Sequence, residues 1–231
     1  MNNKQRAFTL IEVLAVITII GILSAIVTPA VGGALAKARK MRTASNLRQI
    51  AISYGAHVNG GGSTKNLNGA ATVADWAAAL AADGGGDDAS IYIVSEDYLV
   101  TSSSRPTPKR VLARGNATAS EEFRSFPLAI AVITGLSPDD DPTTTPLAYS
   151  RGLDENSGYW RAQNGDGGGV YGQTGGFVVF LDGHVNWYGS IAEDGGALVD
   201  FETGAKTASV RSAVRSGARA IDWKGTVWSK N

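Results

Sequence analysis

Cysteine is absent from this chain of 231 residues, and histidine occurs only at His57 and His184. The absence of cysteine excludes disulfide bridges and thiolate metal sites, so a folded domain must rely on packing or on an ion held by oxygen ligands. An excess of one charge is also lacking, since 21 Lys and Arg residues balance 21 Asp and Glu residues. A balanced chain without a large basic patch argues against a nucleic-acid-binding protein.

What the chain does have is one long apolar run, residues 8–36, whose single charged residue is Glu12. At about 1.5 Å per residue, a helix of this length reaches about 40 Å, which is enough to cross a hydrocarbon core of about 30 Å. The run is apolar on every face, as is typical of a helix surrounded by lipid or by other apolar helices. A carboxylate inside such a helix is costly unless it finds a partner, so Glu12 is a candidate functional residue.

A short basic leader, residues 1–7, precedes this run. The leader, the segment Phe8-Thr9-Leu10-Ile11-Glu12-Val13 and the long apolar helix together resemble the type IV prepilin family, which includes pilus subunits and the pseudopilins of type II secretion. The resemblance implies that a prepilin peptidase cuts between Ala7 and Phe8 and that the new amino group of Phe8 is methylated. The helix is then retained as a membrane anchor and as the segment through which subunits assemble.

Two further residues acquire roles from the resemblance. Glu12 lies one helical turn beyond Phe8, so the Glu12 carboxylate of one subunit can neutralise the Phe8 amine of a neighbour in a filament. Pro29 falls where this family often has a proline that bends the helix, because proline removes a backbone donor and clashes with the preceding turn.

The leader departs from the family pattern in two ways. Ala7 stands where the family nearly always has glycine. The distribution of basic residues about the apolar span is also unusual, since two precede it and four follow it: Lys37, Arg39, Lys40 and Arg42. Positive-inside counting alone would predict the opposite orientation of the helix in the membrane.

Two other interpretations of the apolar run compete with the prepilin resemblance. A plain signal anchor explains the length of the run but not Glu12. A secretory signal peptide would be shorter and would have its small-residue cleavage site after the apolar stretch.

The pattern along the chain predicts an α+β protein in four parts. These are a leader at 1–7, a transmembrane helix at 8–36, an amphipathic continuation of that helix at 37–59 and an extracytoplasmic head at 60–231. The head is predicted to contain a small antiparallel sheet, as in pilins. We expect a helix at 73–82 and another at about 207–220, an edge strand in the tail 221–228, a flexible glycine-rich loop at 164–176, and strands at 90–94, 127–134, 147–150, 177–181 and 185–188.

The most distinctive segment of the head is 177–188, in which Asp182-Gly183-His184 separates two β-rich runs. Asp-Gly at this position predicts a two-residue type I′ turn. The segment also resembles the Asp-Gly-His-Val hairpin of a large pseudopilin-like group. We interpret Asp182, Gly183 and His184 as a structural turn, because a catalytic triad would need a nucleophile and a third partner. Ligand or ion binding by this turn stays open.

Acidic residues cluster in the second half of the chain, including Asp139-Asp140-Asp141, and some pseudopilins hold calcium in a loop of the head. The three consecutive aspartates lack the alternating spacing of an EF-hand loop, so a solvated acidic surface is the simpler interpretation. We expect no cofactor, with calcium as an open alternative. The glycine pattern at 167–172 is not interpreted as a dinucleotide site, because it precedes a strand instead of following one.

The resemblance to prepilins and pseudopilins implies a non-enzymatic subunit of a type II secretion pseudopilus. Its partners would be the prepilin peptidase, other copies and other pseudopilins, the inner-membrane assembly platform and the lipid bilayer, with no nucleic acid. It would be a single-pass protein of the bacterial inner membrane with its head in the periplasm or outside the cell. The alternatives are a type IV pilus subunit and a membrane-anchored protein that binds glycan or cell wall through the hairpin and the aromatic residues Trp160, Tyr171 and Trp187.

Overall fold

The computed structural model describes residues 9–61 and 64–231, except for the side chains of residues 29, 30 and 64–66. The chain divides into two compact units, Met1–Arg42 and Thr43–Asn231. One helix, α1 (Leu10–Asn59), contributes to both units. α1 ends at Asn59, directly before a run of three glycines in the sequence.

In the first unit, α1 presents its apolar side chains outward. The large apolar residues from Leu10 to Leu35 expose between 49% and 84% of their surface. No side chain in the most apolar window of this helix is buried within the protein. These residues therefore need an apolar environment from outside the chain.

In the second unit, the end of α1 is part of a hydrophobic core. Leu47, Ile50, Ala51 and Tyr54 are buried there. The ring of Tyr54 stacks on Trp76, with centroids 6.1 Å apart. Trp76 belongs to α3 (Val73–Ala82), whose bounds are those predicted from the sequence. The remaining short helices are α2 (Thr64–Gly69), α4 (Tyr98–Thr101) and α5 (Glu121–Arg124).

The core of this unit is completed by an antiparallel sheet of six strands in the order β4-β3-β2-β1-β7-β8. A separate two-stranded sheet pairs β5 with β6. The strands are β1 (Ile130–Thr134), β2 (Pro146–Ser150), β3 (Gly176–Phe180), β4 (Val185–Tyr188), β5 (Leu198–Val199), β6 (Lys206–Thr207), β7 (Arg219–Ile221) and β8 (Thr226–Ser229). Strands β1, β2 and β3 are buried at every position. A long amino-terminal helix followed by an antiparallel sheet domain confirms the predicted α+β class.

Two predicted elements are wrong. Residues 90–94 do not form a strand, because the Asp88 side chain accepts the Ser90 N–H at 2.8 Å and starts a 3₁₀ helix, Ala89–Tyr92. Residues 207–220 do not form a helix. Side chains of Thr207 and Ser209 accept backbone N–H groups two and three residues ahead, at 3.1 and 3.3 Å. Such local bonds compete with helix formation.

The middle of the glycine-rich loop at 164–176 is closely packed, although the composition of the loop predicts flexibility. Gly168, Gly169 and Gly172 are buried. A Cβ atom on Gly152 would lie 2.3 Å from the Cα atom of Gly169, so two backbone segments approach each other at a distance that only glycine permits. Glycine therefore serves close packing here.

Candidate functional site

The start of α1 is organised by Thr9 and Glu12. The Glu12 Oε2 atom accepts hydrogen bonds from the backbone N–H and the hydroxyl of Thr9, both at 2.8 Å. In return, the Glu12 N–H donates to the Thr9 hydroxyl at 3.3 Å. This reciprocal pair is a capping box, which satisfies backbone donors that the first turn of a helix leaves free. Ala7 and Phe8, the predicted processing residues, lie outside the described residues.

The Glu12 carboxylate is exposed on the surface of the unit as well as bonded to Thr9. A negative charge in the first turn is also favoured by the helix dipole. Glu12 thus has a partner within its own chain and remains accessible to a cation from outside. The sequence contained the signal for this cap, since Thr-x-x-Glu directly before an apolar run is its typical pattern. The lone charge of Glu12 is the more conspicuous signal, and the cap is not among the predictions above.

The segment that follows Glu12 can cross a membrane by its length and composition. It runs through Pro29 without a break in the assigned helix. Local melting at Pro29 is therefore not observed. A bend at this residue stays a prediction.

The hairpin between β3 and β4 is closed by the pair Phe180 and His184, which leaves a three-residue loop at 181–183, so the predicted two-residue type I′ turn is wrong. The Phe180 N–H donates to the His184 carbonyl at 3.1 Å, and the Gly183 N–H donates to the Phe180 carbonyl at 2.9 Å. Gly183 has a φ of +86°, whereas Asp182 is not among the residues with positive φ. In this loop only Gly183 adopts the left-handed conformation. Asp182 therefore avoids the strained positive φ that a type I′ turn would require of it.

Asp182 and His184 hold the tip of this hairpin together. The Asp182 Oδ1 atom lies 2.9 Å from the His184 backbone nitrogen and 2.6 Å from the ring Nδ1. The imidazole also stacks on Phe180 with centroids 4.1 Å apart. Burial acts to raise the pKa of Asp182, but the hydrogen bonds and the positive charge of His184 outweigh it and hold the pKa below its usual range. Each of these contacts supports a structural role for the turn.

The hairpin tip faces the part of α1 that belongs to the second unit. A Cβ atom on Gly183 would lie 3.9 Å from the Ala51 Cβ and 4.0 Å from the Arg48 Cγ. A small crevice lies here, lined by Ala44, Ser45, Arg48, Gly183 and Val185. The hairpin thus helps to fix α1 against the sheet.

Two of the three carboxylates of the acidic loop 139–141 accept hydrogen bonds within the protein. Asp140 accepts the Ser137 N–H at 2.8 Å, and Asp141 accepts the Thr143 N–H at the same distance. Across residues 9–61 and 64–231, no group of three or more His, Cys, Asp or Glu side chains is placed to hold a metal ion. Calcium binding therefore stays an open alternative to the expectation of no cofactor, without a defined ligand set.

A buried ion pair escaped the sequence analysis. The Arg151 Nη2 atom lies 2.8 Å from both carboxylate oxygens of Asp97, and the two side chains expose 3% and 1% of their surface. Arg151 also donates to the carbonyl groups of Leu128 and Gly168, at 3.3 and 3.1 Å. The guanidinium thereby joins the end of β2 to three other segments. Pairing of residues 54 positions apart leaves no local pattern in the sequence.

The aromatic residues suggested for glycan binding are largely used in packing. Trp160 is 2% exposed and donates its indole N–H to the Ser150 carbonyl at 3.3 Å. Tyr171 donates to the Thr43 hydroxyl at 2.7 Å. Trp187 packs edge-on against Phe177, with centroids 4.9 Å apart. The proposal that Trp160 contacts a ligand on the surface is therefore wrong, because its ring is buried.

His57, the other histidine, is buried, unlike His184. Its Nδ1 lies 3.1 Å from an Asp83 carboxylate oxygen, while the imidazole is only 1% exposed. That contact lacks the direction of a hydrogen bond, so neither ring nitrogen has a hydrogen-bond partner in the described chain. His57 is remote in sequence from Asp182 and His184, and we assign it no chemistry.

Comparison with known proteins adds one finding about the amino terminus. Residues 2–28 match the family model described as the prokaryotic N-terminal methylation motif. No curated protein and no solved structure was found to match the chain. The motif, together with one apolar helix long enough to cross a membrane, supports a type IV pilin-like, membrane-anchored, single-pass protein that is processed by a prepilin peptidase.

Proposed function

We propose that the chain is a pilin-like structural subunit of a type II secretion pseudopilus, assembled through its amino-terminal helix. The observation that supports this proposal most is the overlap of the methylation motif with the exposed apolar start of α1. The methylation motif at residues 2–28 covers the start of α1, where the apolar side chains are not buried by any other part of the described chain. A methylated amine at the helix start remains cationic, so it needs an anionic partner where that helix enters an apolar assembly.

In this proposal the helix exchanges one apolar environment for another. In the membrane its side chains contact lipid, and in the filament they contact the helices of other subunits. The charge at Phe8 must then be neutralised, since an unpaired buried charge is strongly destabilising. The exposed Glu12 carboxylate can accept the amine of a neighbour, in competition with its bonds to Thr9.

The partners and location follow from the same scheme. Prepilin peptidase removes residues 1–7, the assembly platform of the inner membrane extracts the helix, and other pseudopilins extend the filament. The head then lies in the periplasm or outside the cell. We assign no enzymatic activity, because the matched motif is that of a structural family.

The proposal is tested by deleting the gene and restoring it with wild type or with Glu12→Ala. Loss of secreted proteins without loss of surface fibres, restored by wild type alone, supports a pseudopilus. Loss of surface fibres with normal secretion identifies a type IV pilus subunit instead. Retained secretion and fibres, with loss of binding of the cells or membranes to purified peptidoglycan, would favour the anchored cell-wall-binding protein.

A further inference from the structure

A cavity of about 250 Å³ lies between the end of α1 and the acidic loop, within the second unit. Its wall is formed by the last two turns of α1, the loop 137–142 and Leu181, which follows β3. Sites for drug-sized ligands measure about 300–1,000 Å³, so this cavity suits a smaller molecule or a single side chain. The proposed function gives it no role.

Asp140 brings a buried carboxylate to this cavity, with a side chain that is only 4% exposed. Its Oδ2 atom accepts the Ser137 N–H at 2.8 Å. The Oδ1 atom lies 3.8 Å from the Arg215 Nη1 atom, which is too far for a hydrogen bond, and Arg215 is not part of the cavity wall. The guanidinium is 41% exposed, so it offsets the buried charge only in part. Oδ1 can therefore accept hydrogen bonds from a donor in the cavity.

The hydroxyl of Tyr54 is a second polar group at the cavity. Tyr54 is 8% exposed, and stacking on Trp76 fixes its ring. Burial and the negative charge of Asp140 raise the pKa of Tyr54 to about 12, which places the hydroxyl within the electrostatic influence of the carboxylate. No group in the described part of the chain forms a hydrogen bond with this hydroxyl. Buried hydroxyls usually have a partner, so the cavity is where one would bind.

These groups favour a positively charged ligand that carries N–H donors. An ammonium group has three such donors, which match the Asp140 carboxylate, the Tyr54 hydroxyl and the amide oxygen of Asn59 at the wall. Val58 and Leu181 make another part of the wall apolar, which suits a short alkyl chain. A calcium ion fits less well, because it takes about six to eight oxygen ligands. Asp140 is the only carboxylate among the described residues that line the cavity.

We propose that this cavity binds a short alkylammonium group, with its nitrogen on Asp140 and Tyr54 and its alkyl chain on the apolar part of the wall. A free aliphatic amine and a Lys side chain of a second copy share this chemistry. Binding of a free amine requires neither membrane insertion nor a filament, so it is independent of the proposed function. A Lys side chain of a second copy would instead add a contact between subunits.

The test uses the full-length chain in micelles of an uncharged detergent, with butylammonium as the probe. Ligand-detected NMR titrations measure its affinity. Tetramethylammonium, which has no N–H donor, and butanol, which has no charge, are the comparison ligands. Butylammonium should bind about tenfold more tightly than either, because charge-assisted hydrogen bonds are the stronger kind. An equal concentration of calcium chloride should not displace it.

Four variants assign the binding to the cavity. Asp140→Asn should weaken butylammonium binding by about tenfold, whereas Asp139→Asn, which removes an exposed neighbouring carboxylate, should leave it unchanged. Tyr54→Phe retains the aromatic ring, should weaken binding by about threefold or more, and tests the site even if Asp140→Asn fails to fold. Arg215→Gln should strengthen binding, because it removes the cation that competes for Asp140.

Sedimentation of the same samples separates the two sources of the amine. Self-association that is weakened both by butylammonium and by Asp140→Asn supports a Lys side chain of a second copy. Butylammonium binding without any effect on self-association supports a free amine. Equal affinity for butanol or tetramethylammonium, equal losses in Asp140→Asn and Asp139→Asn, or displacement by calcium would overturn the proposal. So would weaker binding by Arg215→Gln, since that result would indicate a ligand that is not a cation.

Discussion

Glu12 and Thr9 bond to each other at the start of α1, with the Glu12 Oε2 atom 2.8 Å from both the nitrogen and the hydroxyl oxygen of Thr9. The residue that the prepilin resemblance assigns to assembly therefore also caps the helix in the single chain. A neighbouring amine must compete with this cap for the same carboxylate. The two roles can be separated by variants, because only one of them requires the carboxylate of Glu12 to meet another subunit.

We predict that Glu12→Ala leaves membrane insertion and cleavage intact but impairs filament formation. Thr9→Val should have a much smaller effect on filaments, because loss of a cap costs only about 1 kcal/mol, whereas an unpaired buried charge costs about 3–5 kcal/mol. Thr9→Ser, which retains the hydroxyl, serves as the control. Sedimentation and electron microscopy of the filaments measure the outcome. Normal filaments from Glu12→Ala would remove its proposed role in assembly.

The hairpin gives a prediction about stability. Gly183→Val should destabilise the second unit by about 1–2 kcal/mol or more, because a β-branched residue is strained at a φ of +86°. His184→Ala should cost less, since His184 needs no unusual backbone conformation. Thermal unfolding can be followed by tryptophan fluorescence, as all five Trp residues lie in Thr43–Asn231. An unfolding temperature unchanged by Gly183→Val would contradict the turn described here.

The buried pair of Asp97 and Arg151 should behave differently from an exposed pair. Arg151→Met leaves the Asp97 carboxylate buried without its cation, which typically costs about 3–5 kcal/mol. The matched control is Arg110→Met at the exposed pair of Arg110 and Asp87, where the expected cost is about 1 kcal/mol or less. Denaturant unfolding compares the two. Similar small effects would show that the buried pair does not hold its four segments together.

The lowered pKa of Asp154 leads to a prediction about how the stability of the second unit depends on pH. Hydrogen bonds from the Ser157 N–H and the Arg161 guanidinium lower the pKa of Asp154 to about 2, compared with about 3.9 for an unfolded chain. A lowered pKa contributes stability above the unfolded value, and this contribution is lost as the pH falls from about 4 to about 2. Asp154→Asn should therefore reduce the unfolding temperature at pH 7. The difference from wild type should shrink across that window, and a constant difference would contradict the assignment.

The sequence predicted those parts of the fold that depend on local patterns. The helix at α3 and the paired strands β3 and β4 were found because their apolar spacing and the Asp-Gly turn lie close together in the chain. The false helix at 207–220 shows where periodicity fails. Val210, Ala213 and Val214 have helical spacing and are buried, but Ser and Thr side chains fold the backbone into turns.

The candidate site was only partly predictable for similar reasons. Glu12 is conspicuous as a lone charge, and its cap could have been recognised from Thr9 three residues earlier. The pairing of Asp97 with Arg151 depends on how β2 packs against the loop before α4, which no short segment specifies. The turn type at Gly183 was missed because Asp-Gly fits both two-residue and three-residue loops.

The most direct test of the central claim is the mass of the mature protein isolated from the membranes of its host. The account predicts a chain that begins at Phe8 and carries one methyl group on the Phe8 amine. Ala7→Gly, which restores the residue typical of the family, should be cut at the same bond. Retention of Met1, or cleavage beyond Ala36, would contradict the prepilin interpretation.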